Sequence, residues 1–186
     1  MGKSDRGLIA SMENKGDCVL LIESDPGAAT LIRAALAEAR DGPLSVEWEA
    51  SLHGGLERLS KGGIKAILLN LFLLDSQGIE TFDKLYAIGG HAPILILSAL
   101  DHEDAAKLAM HRGAQDYLLS GHIDGYSLSR AIRNVMERKL AEDALFLEKE
   151  RAQVTLNSIG DAVISTDIDG NVIYLNLAAE RMTGWS

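Results

Sequence analysis

The chain has little of what many site chemistries require. One cysteine, Cys18, stands among 186 residues. Neither a disulfide framework nor a cysteine-ligated metal is encoded, and inside an apolar strand a lone cysteine is a small hydrophobe. Aromatic residues make up 5% of the chain, too few to build the stacking surface of a flavin site. Positive charge is outweighed, 18 Lys and Arg against 27 Asp and Glu, for a net charge of −9. That balance argues against a nucleic-acid interface. No run reaches the roughly 18–20 apolar residues of a membrane span, and the opening MGKSDRGLIASMENKG lacks the apolar stretch of a signal peptide. Gly2-Lys3-Ser4 is not a phosphate-binding loop, because that motif needs another glycine five residues before the lysine. His53, His91, His102, His111 and His122 share no metal-ligand spacing and read as surface residues. The expectation is a soluble cytoplasmic protein with a disordered tail at 1–16 and neither a nucleic acid nor a membrane as partner.

What is present is a regular alternation. Apolar segments at 18–23, 64–70 and 92–98 read as strands buried on both faces, the mark of a parallel sheet. A more polar segment at 44–50 reads as an edge strand, and 114–120 as a fifth strand. Helical patterns at 26–39, 52–62, 78–90 and 102–113 separate them. Pro26 suits the first turn of the first helix, whose apolar face holds Leu31, Ile32, Ala35, Leu36 and Ala39. Gly54 and Gly55 weaken the second. Five strands alternating with helices predict an α/β fold, a doubly wound five-stranded parallel sheet with core at 17–125.

Ligands of such sheets bind beyond the carboxyl ends of the strands. Those ends carry Glu23, Ser24 and Asp25 after the first strand, Asn70 on the third, Ser98 on the fourth and Ser120 on the fifth. Asn70 ends the run AILLNLFLLD, where a reactive group would be expected. Asp25 suits a helix cap. Asp75, in the loop beyond, suits a cap for the helix at 78–90. Serines at strand ends equally serve nearby backbone groups, and Tyr117 equally serves as a packing residue.

Taken together, VLLIESDPGAATLIRAAL, AILLNLFLLDSQGIETFDKL and APILILSALDHEDAAKLAMHRGAQDYLLSG make residues 17–138 resemble a receiver domain of two-component response regulators. The resemblance implies the flavodoxin-like (CheY-like) fold and a family chemistry. An aspartate on the third strand takes up a phosphoryl group and two acids after the first strand hold Mg²⁺. A Ser or Thr ends the fourth strand, a Lys ends the fifth, and an aromatic residue acts as a switch. In this chain the phosphoacceptor position carries Asn70, the acid pair is Glu23 and Ser24, and the lysine position carries Ser120 followed by Gly121. The switch positions keep Ser98 and Tyr117. An amide is a poor nucleophile and forms no acyl phosphate. Mg²⁺ prefers carboxylates, which leaves at most a weak site at Glu23, with Asp25 a poor substitute. Ser120 supplies no positive charge. The rim is therefore expected to be held by neutral hydrogen bonds, with Ser98 and Ser120 as partners of Asn70, and the site to be degenerate.

From 126 to 156 one charged helical pattern extends the last receiver helix into a connector. Leu140, Leu147 and Val154 recur at sevens, with polar Asp143 and Glu150 between them. Residues 157–186 read as a hairpin and a short helix, too little to bury a core alone. TLNSIGDAVISTDIDGNVIYLNLAAERMTGWS resembles the start of a PAS domain. The resemblances imply a non-enzymatic signalling module without a cofactor, a phosphorylation-independent pseudo-receiver relaying protein contacts through a helix to PAS. The output lies elsewhere, such as a histidine kinase or a cyclic-di-GMP enzyme. Its partners are signalling proteins and a second copy, paired through the 102–135 face and the connector. The alternative is a phosphoaccepting receiver with a surrogate acceptor and altered Mg²⁺ binding. A flavodoxin-like ligand or redox domain is disfavoured, because the rim lacks a glycine- or hydroxyl-rich phosphate loop.

Overall fold

The computed structural model describes residues 18–39, 44–89, 92–99, 102–119 and 125–185. The strands are β1 (Cys18–Ile22), β2 (Ser45–Glu49), β3 (Ala66–Asn70), β4 (Ile94–Ser98) and β5 (Asp116–Leu119). All pair in parallel in the order β2-β1-β3-β4-β5. The polar strand β2 lies at an edge. The three apolar strands are central, because only there are both faces covered. Each strand is shorter than the segment read for it from the sequence.

Four helices connect the strands: α1 (Pro26–Ala37), α2 (Leu52–Ser60), α3 (Ile79–Gly89) and α4 (Glu103–His111). A fifth, α5 (Gly125–Ser158), follows β5. Alternation along the central strands divides the core. On one face Val19, Leu21, Leu68 and Leu97 pack with Ile32 and Leu36 of α1 and with Leu128, Ile132 and Val135 of α5. On the other, Leu20, Ile22, Leu69 and Ile96 pack with Phe82 and Leu85 of α3 and Ala106 and Ala109 of α4. Each fully buried side chain of this size contributes about 1.5–3 kcal/mol.

The buried stripe of α1 is Ala29, Ile32 and Leu36, whereas Leu31 is 73% exposed. The expected face was too wide: Leu31 stands one residue, about 100°, from Ile32 around the helix. The glycines of α2 do more than weaken it. A Cβ on Gly55 would come within 2.4 Å of Ile22 Cδ1, so the missing side chain lets α2 lie against β1. Likewise a Cβ on Gly125 would meet the Ala35 carbonyl oxygen at 2.9 Å, which sets how closely α5 approaches α1.

The described residues up to Lys139 form one compact unit, and Leu140–Ser186 form a second. In the second, β6 (Ile164–Thr166) and β7 (Val172–Leu175) pair antiparallel, followed by α6 (Leu177–Thr183). Asn176, fully buried, holds these pieces together. Its Nδ2 donates to the carbonyls of Leu156 and Asp161, and its Oδ1 accepts from the N–H of Val163 and of Ala179, all at 2.9 Å. Along α5 the buried residues lie between Leu128 and Met136, while Leu140, Leu147 and Val154 are exposed. Among the described residues no helix is long and apolar enough to cross a membrane.

Candidate functional site

The chain leaves β1 for β2 on one side of the sheet and returns to β3 on the other. Connections therefore diverge above β1 and β3, and a crevice opens at their carboxyl ends. Glu23 and Asn70 meet there. The Asn70 amide donates from Nδ2 to Glu23 Oε2 at 2.9 Å, and its Oδ1 accepts the N–H of Phe72 at 2.9 Å. The other carboxylate oxygen of Glu23 accepts the N–H of Asp25 at 2.9 Å. Its backbone carbonyl accepts the indole N–H of Trp48 at 2.7 Å. Glu23 is 5% exposed. A carboxylate buried to that extent needs donors on both oxygens, and Asn70 is one of the two.

Asn70 thus acts as donor and acceptor at once, which a carboxylate in its place cannot do. The expected neutral hydrogen bonds to Ser98 are not formed. Ser98 is buried, and its hydroxyl donates to the carbonyl of Ala99 at 3.0 Å. Asn70 turns instead toward the end of β1, because the register of β1 with β3 brings Ile22 opposite Leu69, leaving the next residues of the two chains side by side. Ser120 lies outside the described residues. Ser24 is half-buried. Asp25 caps α1, its Oδ1 accepting the N–H of Gly27 at 2.8 Å.

Asp75 does not cap the helix that follows it. Its two oxygens accept the N–H groups of Leu52 and His53, both at 3.0 Å. It thereby joins Ser51 at the N-terminus of α2. The helix nearest in space, not the next in sequence, supplies the unpaired donors. Partial burial opposes the Asp75 charge, but these backbone donors outweigh it and hold the carboxyl below its ordinary range.

Tyr117, half-buried on β5, donates its hydroxyl to Glu103 Oε1 at 3.2 Å. Glu103 also pairs with Lys107 at 3.0 Å. Lys107, and then Tyr117, hold the Glu103 carboxyl below its ordinary range. Two residues of the region, Trp48 and Phe72, carry no signal in the sequence, and His102, expected at the surface, is half-buried. Phe72 stacks on the imidazole of His102 with centroids 3.8 Å apart and planes at 21°. Neither residue belongs to a periodic pattern, so only the fold brings them together.

A divalent cation fits these donors poorly. Both Glu23 oxygens and the Asn70 oxygen already accept hydrogen bonds, and Asp25 is engaged with α1. Among the described residues no three His, Cys, Asp or Glu are placed to hold a metal ion. The arrangement also offers no nucleophile at Asn70, since the amide nitrogen carries no available lone pair.

Residues 19–121 match the family model of the response regulator receiver domain, and residues 150–186 match that of the PAS fold. The nitrate/nitrite response regulator protein NarL of Escherichia coli (strain K12) is 33% identical over 102 residues, 54% of this chain and 46% of that protein. The probable diguanylate cyclase DgcE of the same organism is 43% identical over 53 residues, 28% of this chain and 5% of that protein. The chain therefore spans less than half the length of these two relatives. Among solved structures, a response regulator receiver domain protein from Clostridium thermocellum is similar with a TM-score of 0.60 at 25% identity, covering 67% of this chain and 97% of that one.

Proposed function

Because this chain belongs to the response regulator receiver domain family, we propose that it serves two-component signalling as a pseudo-receiver, one whose rim is held in a single state without phosphorylation. The observation that carries this is the Asn70 amide, which donates to the buried Glu23 carboxylate at 2.9 Å. In the family's chemistry that position supplies the attacking carboxylate; here it supplies a hydrogen-bond donor to the remaining acid. The rim needs neither a metal to relieve repulsion nor a phosphoryl group to neutralise a cation. Asp75 is a poor surrogate acceptor, because both of its oxygens are taken by the N-terminus of α2.

Output passes through contacts. The first turns of α5 are anchored in the receiver core by Leu128, Ile132 and Val135. The same helix runs without a break to Ser158, at the start of the PAS-like segment. A second copy pairs along the 102–135 face and the connector, where Leu108, Tyr126, Leu140 and Leu147 are exposed. Signalling proteins are the partners. For the whole protein, the match to a probable diguanylate cyclase favours an output in cyclic-di-GMP chemistry over a histidine kinase.

The test is intact-protein mass after incubation with acetyl phosphate and Mg²⁺, beside an Asn70→Asp, Ser120→Lys double variant. The wild type should gain no phosphate, and the variant should gain one. A stoichiometric adduct on the wild type would overturn the proposal, and mapping it would name the surrogate acceptor.

A further inference from the structure

The Phe72–His102 stack joins two segments that leave different strands. Phe72 follows β3 and is half-buried against the core layer of α3 and α4. Its backbone N–H is held by Asn70 Oδ1 at 2.9 Å, and it forms an isolated bridge with Gln77. His102 immediately precedes α4, gives its N–H to the Ala99 carbonyl at 3.0 Å, and makes no side-chain cap to the helix. Its ring lies stacked on Phe72. The next residue is Glu103, which accepts the Tyr117 hydroxyl. A contiguous path runs from Glu23 through Asn70, the Phe72 backbone and the two rings to the first turn of α4 and Tyr117.

We infer that the Phe72–His102 stack is a conformational latch that carries the position of Asn70 to the first turn of α4 and to the Glu103–Tyr117 pair, with no step through Ser98. The inference rests on the proposed reading that the rim keeps one state without phosphate. Asn70 fixes the Phe72 backbone, the backbone fixes the ring, and the ring restricts the residue at which α4 begins. Chains of packed side chains and hydrogen bonds can carry coupling of this kind. Losing the stack removes one link and leaves the sheet intact.

The experiment is amide exchange and tyrosine ring NMR on the full 186-residue chain, without phosphodonor, in four variants. Phe72→Leu keeps an apolar side chain, His102→Gln keeps a polar one, and both remove the stack; the double variant combines them; His102→Phe keeps two stacked rings. Exchange at Ala106 and Lys107 should quicken about three- to tenfold in both single variants, as expected for the loss of one aromatic pair. The Tyr117 ring signals should move, and amides of β4 should not. The double variant should add nothing further, because the two rings act as one link, and His102→Phe should match the wild type. Unchanged exchange and Tyr117 signals in the single variants would overturn the latch, as would additive effects in the double variant or His102→Phe behaving like His102→Gln. If Phe72→Leu fails to fold, the two His102 variants decide the matter alone. A phosphate adduct on the wild type would refute the pseudo-receiver reading, whereas unaltered exchange in phosphate-free protein would refute the latch, so the two failures are distinguishable.

Discussion

Replacing Asn70 with aspartate removes a hydrogen-bond donor and places a second negative charge beside Glu23, which is 5% exposed. The lost bond to a charged group is worth about 1.5–3 kcal/mol. Two carboxylates about 4 Å apart repel by about 4 kcal/mol at an effective dielectric constant near 20. The sum is not realised in full, because water entry or proton uptake by the pair relieves part of it. We therefore expect Asn70→Asp to lose about 2–4 kcal/mol at pH 7.5 without divalent cations. The assay is urea unfolding followed by the fluorescence of Trp48, whose indole is bonded to the Glu23 carbonyl. Trp185, 64% exposed in the other unit, is replaced by Phe in both proteins so that one reporter remains. Saturating Mg²⁺ should return about 1 kcal/mol or more to the variant by binding its folded state, and should leave the parent unchanged. The reasoning is refuted if the variant without Mg²⁺ stays within about 0.5 kcal/mol of the parent, or if the parent itself gains stability from Mg²⁺.

Asp75→Asn should cost about 1 kcal/mol at neutral pH through the loss of a helix cap. Since the folded Asp75 carboxyl is held below its ordinary range, its contribution is present above the unfolded value of about 3.9 and is lost as pH falls through the folded one; urea titrations at pH 7 and pH 3 should therefore show the gap between variant and wild type closing in acid. Gly125→Ala should lose about 1–3 kcal/mol by overpacking, because its Cβ meets the backbone carbonyl of Ala35. Gly54→Ala meets no backbone, only the ends of the Glu49 and Ser51 side chains, and should be neutral or gain up to about 1 kcal/mol from helix propensity; thermal melts of the two variants separate these outcomes. Sedimentation equilibrium at micromolar concentration should show a dimer, and Leu140→Asp with Leu147→Asp should give a folded monomer, both positions being exposed; a wild-type monomer refutes the pairing.

The alternation of apolar strands and amphipathic helices was legible in the sequence because burial on both faces of a parallel sheet leaves continuous apolar runs. So were the edge position of β2, the long helix and the hairpin, each carried by local pattern or by turn residues. The presence of Asn70, Glu23 and Ser98 at the carboxyl ends of strands follows from that pattern as well. Their partners do not. Asn70 bonds Glu23 and the Phe72 N–H rather than Ser98, because the choice depends on which strand lies beside β3 and in what register. Asp75 serves α2 instead of α3 because capping is decided by distance in space. Gly55 and Gly125, a weakness by propensity or no signal at all, mark places where backbone meets its neighbours too closely for a Cβ. The Phe72–His102 stack joins two loops without periodicity, and loops without periodicity acquire neighbours only when the sheet is assembled. Local pattern determines which residues are buried and at which end of a strand they stand; side-chain pairing across the rim is a long-range choice, and only the tertiary structure makes it.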